Sequence, residues 1–185
     1  MIMETQDLQE EAAALPEDAR QQVVSYVKHQ ASKSTADLLG LIDRAAGWIE
    51  KSLEGVSESQ ARFCPEPGEW CIADVLRHVE ASMRGTARLV SALAAGEKAD
   101  VKGIEPVVEA GPETLAELRR GVAQSYDEVR AAVSAIPEGA ASGATAFHPF
   151  FGDLTCKEWA AFVYVHSRDH ADQIEKVKAA PDFPR

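Results

Sequence analysis

The sequence is poor in basic residues, in aromatic residues and in long apolar runs. Its 185 residues include 19 Lys and Arg against 30 Asp and Glu, which gives a formal net charge of −11. Because nucleic acids and anionic lipids are bound mainly by Lys and Arg, we expect this chain to bind neither. No apolar run reaches the ~20 residues of a membrane span. The first residues also lack the basic and apolar regions of an export signal.

Cysteine is scarce as well. Cys64, Cys71 and Cys156 are widely spaced, odd in number and without a C-x-x-C motif. This supply is typical of free thiols in a reducing compartment, not of a disulfide framework. A chain of this length can bury a full core without covalent cross-links. We therefore expect a cytoplasmic protein with one main domain.

Helix-forming residues dominate the composition, and apolar residues recur at helical spacing. The pattern predicts five helices, at about residues 16–30, 34–53, 71–94, 113–135 and 155–180. Residues 1–15 are expected to be poorly ordered or only partly helical. A small-residue loop is expected from residue 139, and it leads into the aromatic segment 147–152.

The predicted fold is all-α, a four-helix bundle with a long crossover between its second and third helices. The crossover is residues 96–112, which contain Gly and Pro and are long enough for the flanking helices not to be antiparallel neighbours. Residues 1–30 form an N-terminal extension with one short helix, residues 31–180 form the bundle, and residues 181–185 form a tail. An α-solenoid is the alternative, but it requires self-similar helix pairs, which this sequence lacks.

The last predicted helix carries histidines on its apolar face. Its core-facing positions follow alternating steps of four and three residues: Trp159, Val163, His166, His170, Gln173 and Val177. His166 and His170 lie one turn apart on one face and could bind a single ion. A hydrogen-bonded structural pair is the alternative, but it leaves several buried nitrogens to satisfy. No Glu follows His166, which excludes the helical zinc proteases.

The other histidines are interpreted one by one. His78 lies at the edge of an apolar arc, and on its own it would be a border residue partly in solvent. His29 is expected on the surface, outside the bundle. His148 precedes Pro149 beside aromatic residues, which favours packing within a loop, with a place near the mouth of the site as the alternative.

Two segments resemble the DinB-like metal-binding superfamily. The first is residues 67–79, P-G-E-W-C-I-A-D-V-L-R-H-V, in which a Trp opens a helix and a His follows eight residues later. The second runs from His148 through Trp159 to the pattern H-x-x-x-H-x-x-Q-I, which begins at His166. The resemblance covers about residues 34–180.

The resemblance implies an up-down-down-up bundle and a divalent ion held by His78, His166 and His170. It implies nickel or zinc as the usual ion and a homodimer as the usual assembly. The donor set itself also leaves iron, manganese and cobalt open. Cys71 stands where the family more often has Ser or Thr as a helix cap, and this weakens the expected cap.

For function, the resemblance implies a small-molecule substrate. Some relatives transfer low-molecular-weight thiols such as bacillithiol, mycothiol or glutathione to small electrophiles, so we expect a metal-dependent thiol S-transferase or a hydrolase. Gln173, Asp74 and His148 are candidates to orient a ligand or substrate. The alternatives are a non-catalytic metal-binding module of a stress response and a helical interaction protein without metal.

Overall fold

The computed structural model of the protein describes residues 16–99, 111–138 and 143–185. These ranges contain the helices α1 (Glu17–Ala31), α2 (Thr35–Ser52), α3 (Glu58–Ala61), α4 (Ile72–Ala94), α5 (Leu115–Ser134) and α6 (Cys156–Lys178). They also contain the strands β1 (Ala146–His148) and β2 (Gly152–Leu154). The segment 1–15, part of the crossover and part of the small-residue loop lie outside the described residues.

Local sequence determines where the bundle helices begin. Ser34, Thr114 and Thr155 precede α2, α5 and α6, and each side chain accepts a hydrogen bond from the backbone N–H three residues on. The acidic side chain at that position accepts a hydrogen bond from the backbone N–H of the cap residue, which completes a capping box. These starts lie within one or two residues of the positions predicted from the sequence.

Ion pairs establish that α4 and α5 run parallel. Arg77 lies near the start of α4 and contacts Glu113 at 3.2 Å, just before the start of α5. Further along, Arg84 contacts Glu128 at 3.4 Å. Parallel neighbours cannot be joined by a short turn, and this is why residues 95–114 separate the two helices.

Side-chain contacts also give the directions of the two remaining bundle helices, α2 and α6. Arg130 of α5 contacts Asp43 of α2 at 2.7 Å and Arg119 contacts Glu50, so these helices are antiparallel. Lys178 Nζ, at the end of α6, donates to the backbone oxygen of Ser52 at the end of α2. Helices α2 and α6 are therefore parallel, and the up-down-down-up bundle is confirmed.

The core fills the space between α2, α4, α5 and α6. Its largest fully buried side chains include Trp159, Tyr126, Leu76, Met83 and Ile174. Burial of this apolar surface is the main term that stabilises the bundle, at about 25 cal/mol per Å². The apolar residues predicted to face the core from the last helix, Trp159, Val163 and Val177, are among those that pack here.

The first helix packs against the bundle. Val27 of α1 is fully buried, and the rings of Tyr26 and Tyr164 of α6 lie 5.8 Å apart. His29 is exposed on α1, as predicted. The domain boundaries proposed at residues 30 and 180 stay predictions.

The aromatic segment 147–152 was expected to be a loop, but it lies within a small hairpin. Strand β1 pairs antiparallel with β2, with Ala146 opposite Leu154 and His148 opposite Gly152. Gly152 has a φ of +74°, a backbone conformation that a side chain would strain. The hairpin seats His148 beside the start of α6. The four-residue helix α3 is a further element that the sequence did not predict.

Within the described ranges, no helix is both long enough and apolar enough to cross a membrane.

Candidate metal centre

Three histidines from two antiparallel helices meet inside the bundle. His78 comes from α4, and His166 and His170 come from successive turns of α6. The Nε2 atom of His166 lies 3.1 Å from Nε2 of His78 and 3.2 Å from Nε2 of His170. We call these three residues the histidine group. His78 is only 8% exposed and His170 9%, so the border position considered for His78 is not observed.

The spacing of these nitrogens suits a metal ion. With zinc–nitrogen bonds of about 2.0–2.1 Å, two tetrahedral ligands lie about 3.3 Å apart. The two Nε2 separations are close to that value, and the ligand atoms of all three residues lie within 4.8 Å of one another. The histidine group could therefore hold one ion.

Burial keeps the three imidazoles neutral. Burial, together with a smaller contribution from the nearby His170, lowers the pKa of His78 from 6.5 to about 3. Burial also lowers the pKa of His166 well below its usual value, and it lowers that of His170 although the Gln173 hydrogen bond opposes the shift. A neutral imidazole has one free lone pair, which is the form that binds metal.

Gln173 orients one of the rings. Its Oε1 lies 2.8 Å from Nδ1 of His170, and because an amide oxygen only accepts, Nδ1 carries the proton. The lone pair of His170 is therefore on Nε2, the atom that faces the other histidines. This is the arrangement by which a hydrogen bond to one ring nitrogen prepares the other for a metal.

The other two rings have unpaired nitrogens. Nδ1 of His78 and Nδ1 of His166 are buried and find no hydrogen-bond partner in the part of the chain that the structure describes. Each of these rings therefore depends on Nε2 for its polar contact. Nε2 of His78 has a further neighbour, Ser82 Oγ, at 3.4 Å. An ion shared by the Nε2 atoms fits this donor set.

Two aromatic side chains cover the histidine group. The Trp70 ring lies 5.1 Å from His78 and stacks on His170 at 6.3 Å, with 17° between the planes. The Phe162 ring lies 5.1 Å from His166. Sequence reasoning did not select either residue for the site. The available signals were the position of Trp70 in the resembling motif and the one-turn spacing of Phe162 from His166.

His148 lies one layer further out. Its ring packs against Phe162 at 4.7 Å and Trp159 at 5.3 Å, and Nδ1 accepts the backbone N–H of Phe150 at 3.0 Å. Burial lowers its pKa to about 4. His148 is not in the metal-capable group that contains the other three histidines. Its contacts are those of hairpin packing, the interpretation that the sequence favoured.

Asp74 makes its contacts at the start of α4. One carboxylate oxygen accepts the backbone N–H of Cys71 at 3.1 Å and contacts its Sγ at 2.9 Å. The other oxygen forms an ion pair with Arg77 at 2.9 Å. These contacts cap the helix. The role of Asp74 toward a substrate stays a prediction.

The protein is therefore a helical bundle with a histidine site that could hold a metal ion. The family model of the DinB superfamily matches residues 41–174, which include all three histidines. The chain therefore belongs to the DinB superfamily.

Comparison with solved structures supports the same fold. The crystal structure of TT2238, a four-helix bundle protein, is similar with a TM-score of 0.60 and 17% sequence identity. The likeness covers 77% of this chain and 99% of that one. No curated protein matches the chain. At this identity, the likeness establishes the architecture and leaves the chemistry to the residues themselves.

Proposed function

We propose that the protein binds a divalent metal through His78, His166 and His170 and acts as a metal-dependent enzyme on a small molecule. The reaction is transfer of a low-molecular-weight thiol or hydrolysis. The observation that carries the proposal is the convergence of three neutral imidazoles through their Nε2 atoms.

A bound divalent ion would lower the pKa of a thiol or water, which supplies a nucleophile at neutral pH. The chain's own residues prepare the site for that chemistry. Gln173 holds His170 with its lone pair facing the group, and burial keeps all three ligands unprotonated. Trp70 and Phe162 cover the rings and limit the access of water.

The count of ligands favours an enzyme. Among the described residues, the metal-capable group that contains His166 holds no carboxylate, no cysteine and no fourth histidine. Three protein ligands leave a coordination position for a thiol, water or substrate, as in catalytic zinc sites. His166 is partly exposed, whereas His78 and His170 are buried.

A non-catalytic metal-binding module is the second candidate. Its support is the burial of His78 and His170 and the stacking of Trp70 over them. In that case the ion would join α4 to α6 without meeting a substrate. A helical interaction protein without metal would leave the convergence of the three rings unexplained.

Metal content is the first test. Bound metal is removed from the purified protein with a chelator, and the protein is reconstituted with zinc or nickel. Its metal content is then measured by inductively coupled plasma mass spectrometry. We expect about one ion per chain in the wild type and loss of most of it in His166→Ala, because removing one of three ligands opens the site. His29→Ala, at an exposed histidine of α1, is the control and keeps its ion. Equally low metal in all three proteins would contradict both metal-dependent proposals.

Activity is the second test. Reconstituted protein is screened with several low-molecular-weight thiols against chloro- and epoxide-bearing acceptors, and separately with esters and amides without thiol. Thiol-dependent product supports S-transfer, and thiol-independent product supports hydrolysis. A loaded protein that is inactive in both screens, but unfolds at a much higher temperature than the metal-free form, supports the non-catalytic module.

The remaining expectations are also proposals. Zinc or nickel is the proposed ion, with iron, manganese and cobalt as alternatives that the same reconstitution ranks. We propose a homodimer, which light scattering after size-exclusion chromatography measures. A cytoplasmic location and the absence of nucleic-acid binding, expected from the charge of −11, stay predictions.

A further inference from the structure

A second cluster of reactive side chains lies at the start of α4, apart from the histidine group. It consists of Cys64, Cys71 and Asp74, whose sulfur and oxygen atoms lie within 4.8 Å of one another. Cys64 is exposed, Cys71 is buried, and both are free thiols. We call Cys64 and Cys71 the thiol pair.

The surroundings of the pair disfavour a cation. One oxygen of Asp74 is taken up by the backbone N–H and the thiol of Cys71, and the other by the guanidinium of Arg77. A metal would have to displace these contacts and lie close to the positive charge of Arg77. Burial and the Asp74 carboxylate also raise the pKa of the Cys71 thiol to about 12, which opposes the thiolate that a metal needs.

A disulfide carries no charge and needs no ligand from Asp74, so the Asp74–Arg77 ion pair stays in place. Cys71 must still lose its proton to react, and Asp74, which contacts its Sγ at 2.9 Å, is placed to accept that proton. The two sulfurs must approach from within 4.8 Å to about 2.0 Å. Residues 62–71 form neither helix nor strand, so the approach does not require a regular element to break. Cys64 lies in this segment, and its thiol makes a long contact of 3.8 Å with the backbone oxygen of Arg62.

We propose that Cys64 and Cys71 form a reversible intramolecular disulfide with a low-molecular-weight disulfide as the oxidant. The exposed Cys64 sulfur attacks the oxidant, forms a mixed disulfide and releases one thiol. The Cys71 sulfur then attacks the Cys64 sulfur, with its proton passing through Asp74 to the departing sulfur, and a second thiol leaves. Two cysteine thiols are oxidised, and one small disulfide is reduced to two thiols.

The bond would act directly beside the histidine group. Trp70 is the neighbour of Cys71 in the chain, and its ring covers His78 and His170. A disulfide from Cys64 to Cys71 encloses Trp70 in a closed loop. The redox state of the thiol pair therefore restricts the side chain that covers the candidate metal centre. The disulfide itself does not depend on metal binding.

The experiment uses the full chain, equilibrated with glutathione disulfide and then alkylated. No Lys or Arg lies between Arg62 and Arg77, so trypsin releases residues 63–77 as one peptide that contains both cysteines. We expect this peptide to be unalkylated and two hydrogens lighter than its reduced form. Glu69 lies between the cysteines and is followed by Trp70, so cleavage after this residue leaves two fragments that separate only on reduction.

Matched variants identify the bond. Cys64→Ser and Cys71→Ser each lose the lighter peptide, and Cys156→Ser keeps it. His166→Ala also keeps it, which separates this proposal from the proposed function. Circular dichroism shows that each variant is folded.

Three results would overturn the proposal. One is alkylation of both cysteines after oxidation. Another is glutathione or a second chain retained on Cys64 while Cys71 is alkylated. The last is zinc that binds to the His166→Ala variant and protects both thiols from alkylation, which would make the cluster a metal site.

Discussion

A single amide determines which nitrogen of His170 is free. Without the 2.8 Å contact from Gln173 to Nδ1, the ring could place its proton on either nitrogen. The amide contacts no other member of the histidine group in the described structure. We therefore expect Gln173 to act as a positioning residue, with an effect on the affinity of the histidine group for an ion.

We expect Gln173→Leu to reduce metal affinity about 10- to 100-fold, the usual cost of removing such a hydrogen bond. Competition with a chromophoric chelator measures the affinity. Gln173→Glu keeps an oxygen for the Nδ1 proton and is expected to retain most of it. Gln22→Leu, at an exposed position of α1, is the control. Unchanged affinity in Gln173→Leu would show that the contact does not orient a ligand.

At this scale the sequence predicted some contacts and missed others. His166, His170 and Gln173 follow from the helical period of one segment, so their common face could be predicted without a fold. The stacking of Trp70 on His170 joins residues 100 positions apart, and no periodicity carries that information. The inclusion of His78 depended on the family resemblance, because its own surroundings indicated a border residue.

Between elements, a buried hydrogen bond connects α5 to α6. Ser167 Oγ donates to the backbone oxygen of Val163, so the Tyr126 hydroxyl is the donor in its 2.6 Å bond to Ser167 Oγ. Both residues are almost wholly buried, at 1% and 0% exposure. Ser167 is the residue that follows His166 on α6, so this bond holds α6 to α5 beside the histidine group.

We expect substitutions of the two partners to lower the free energy of unfolding by different amounts. Tyr126→Phe removes the donor and is expected to lower the free energy of unfolding by about 1 kcal/mol. Ser167→Ala leaves the tyrosine hydroxyl buried without its acceptor, which costs about 1–3 kcal/mol. Urea denaturation of the two variants and their double mutant measures the coupling. If Ser167→Ala were the milder of the two, the hydroxyl would have another partner.

The elements also show where prediction from sequence ends. Helix starts are local properties, because Ser34, Thr114 and Thr155 each cap the helix that follows them in the chain. The hairpin was missed because its strands have three residues each, too few for an alternating pattern to appear. The hairpin also packs on α6 through contacts of His148 with Trp159 and Phe162, and these contacts require the folded bundle.

Four histidines with lowered pKa values influence the stability of the whole molecule. The pKa of His78 is lowered to about 3 and that of His148 to about 4, and those of His166 and His170 are lowered as well. Below pH 6.5 these histidines become protonated in the unfolded chain but stay neutral in the folded chain. Stability must therefore fall as the pH drops.

For the metal-free protein, we expect the free energy of unfolding to be nearly constant above about pH 7. It should decrease from pH 6.5 toward pH 4, by up to about 1.4 kcal/mol per pH unit for each histidine that takes up its proton only on unfolding. Urea titrations between pH 4.5 and about 8 measure the slope. His148→Gln should flatten it, and His29→Gln should not. A slope of the opposite sign would mean that the histidines are charged in the fold.

The histidine group also determines when the site can exist. His78 and His166 are 88 positions apart, and they meet only when the last helix packs against the second helix of the bundle. During synthesis, therefore, no growing chain has the complete site until α6 has left the ribosome. An ion that binds there selects the finished bundle and stabilises it by mass action. Metal binding at this site would thus follow the packing of α6 against α4 and would not contribute to the earlier steps of folding.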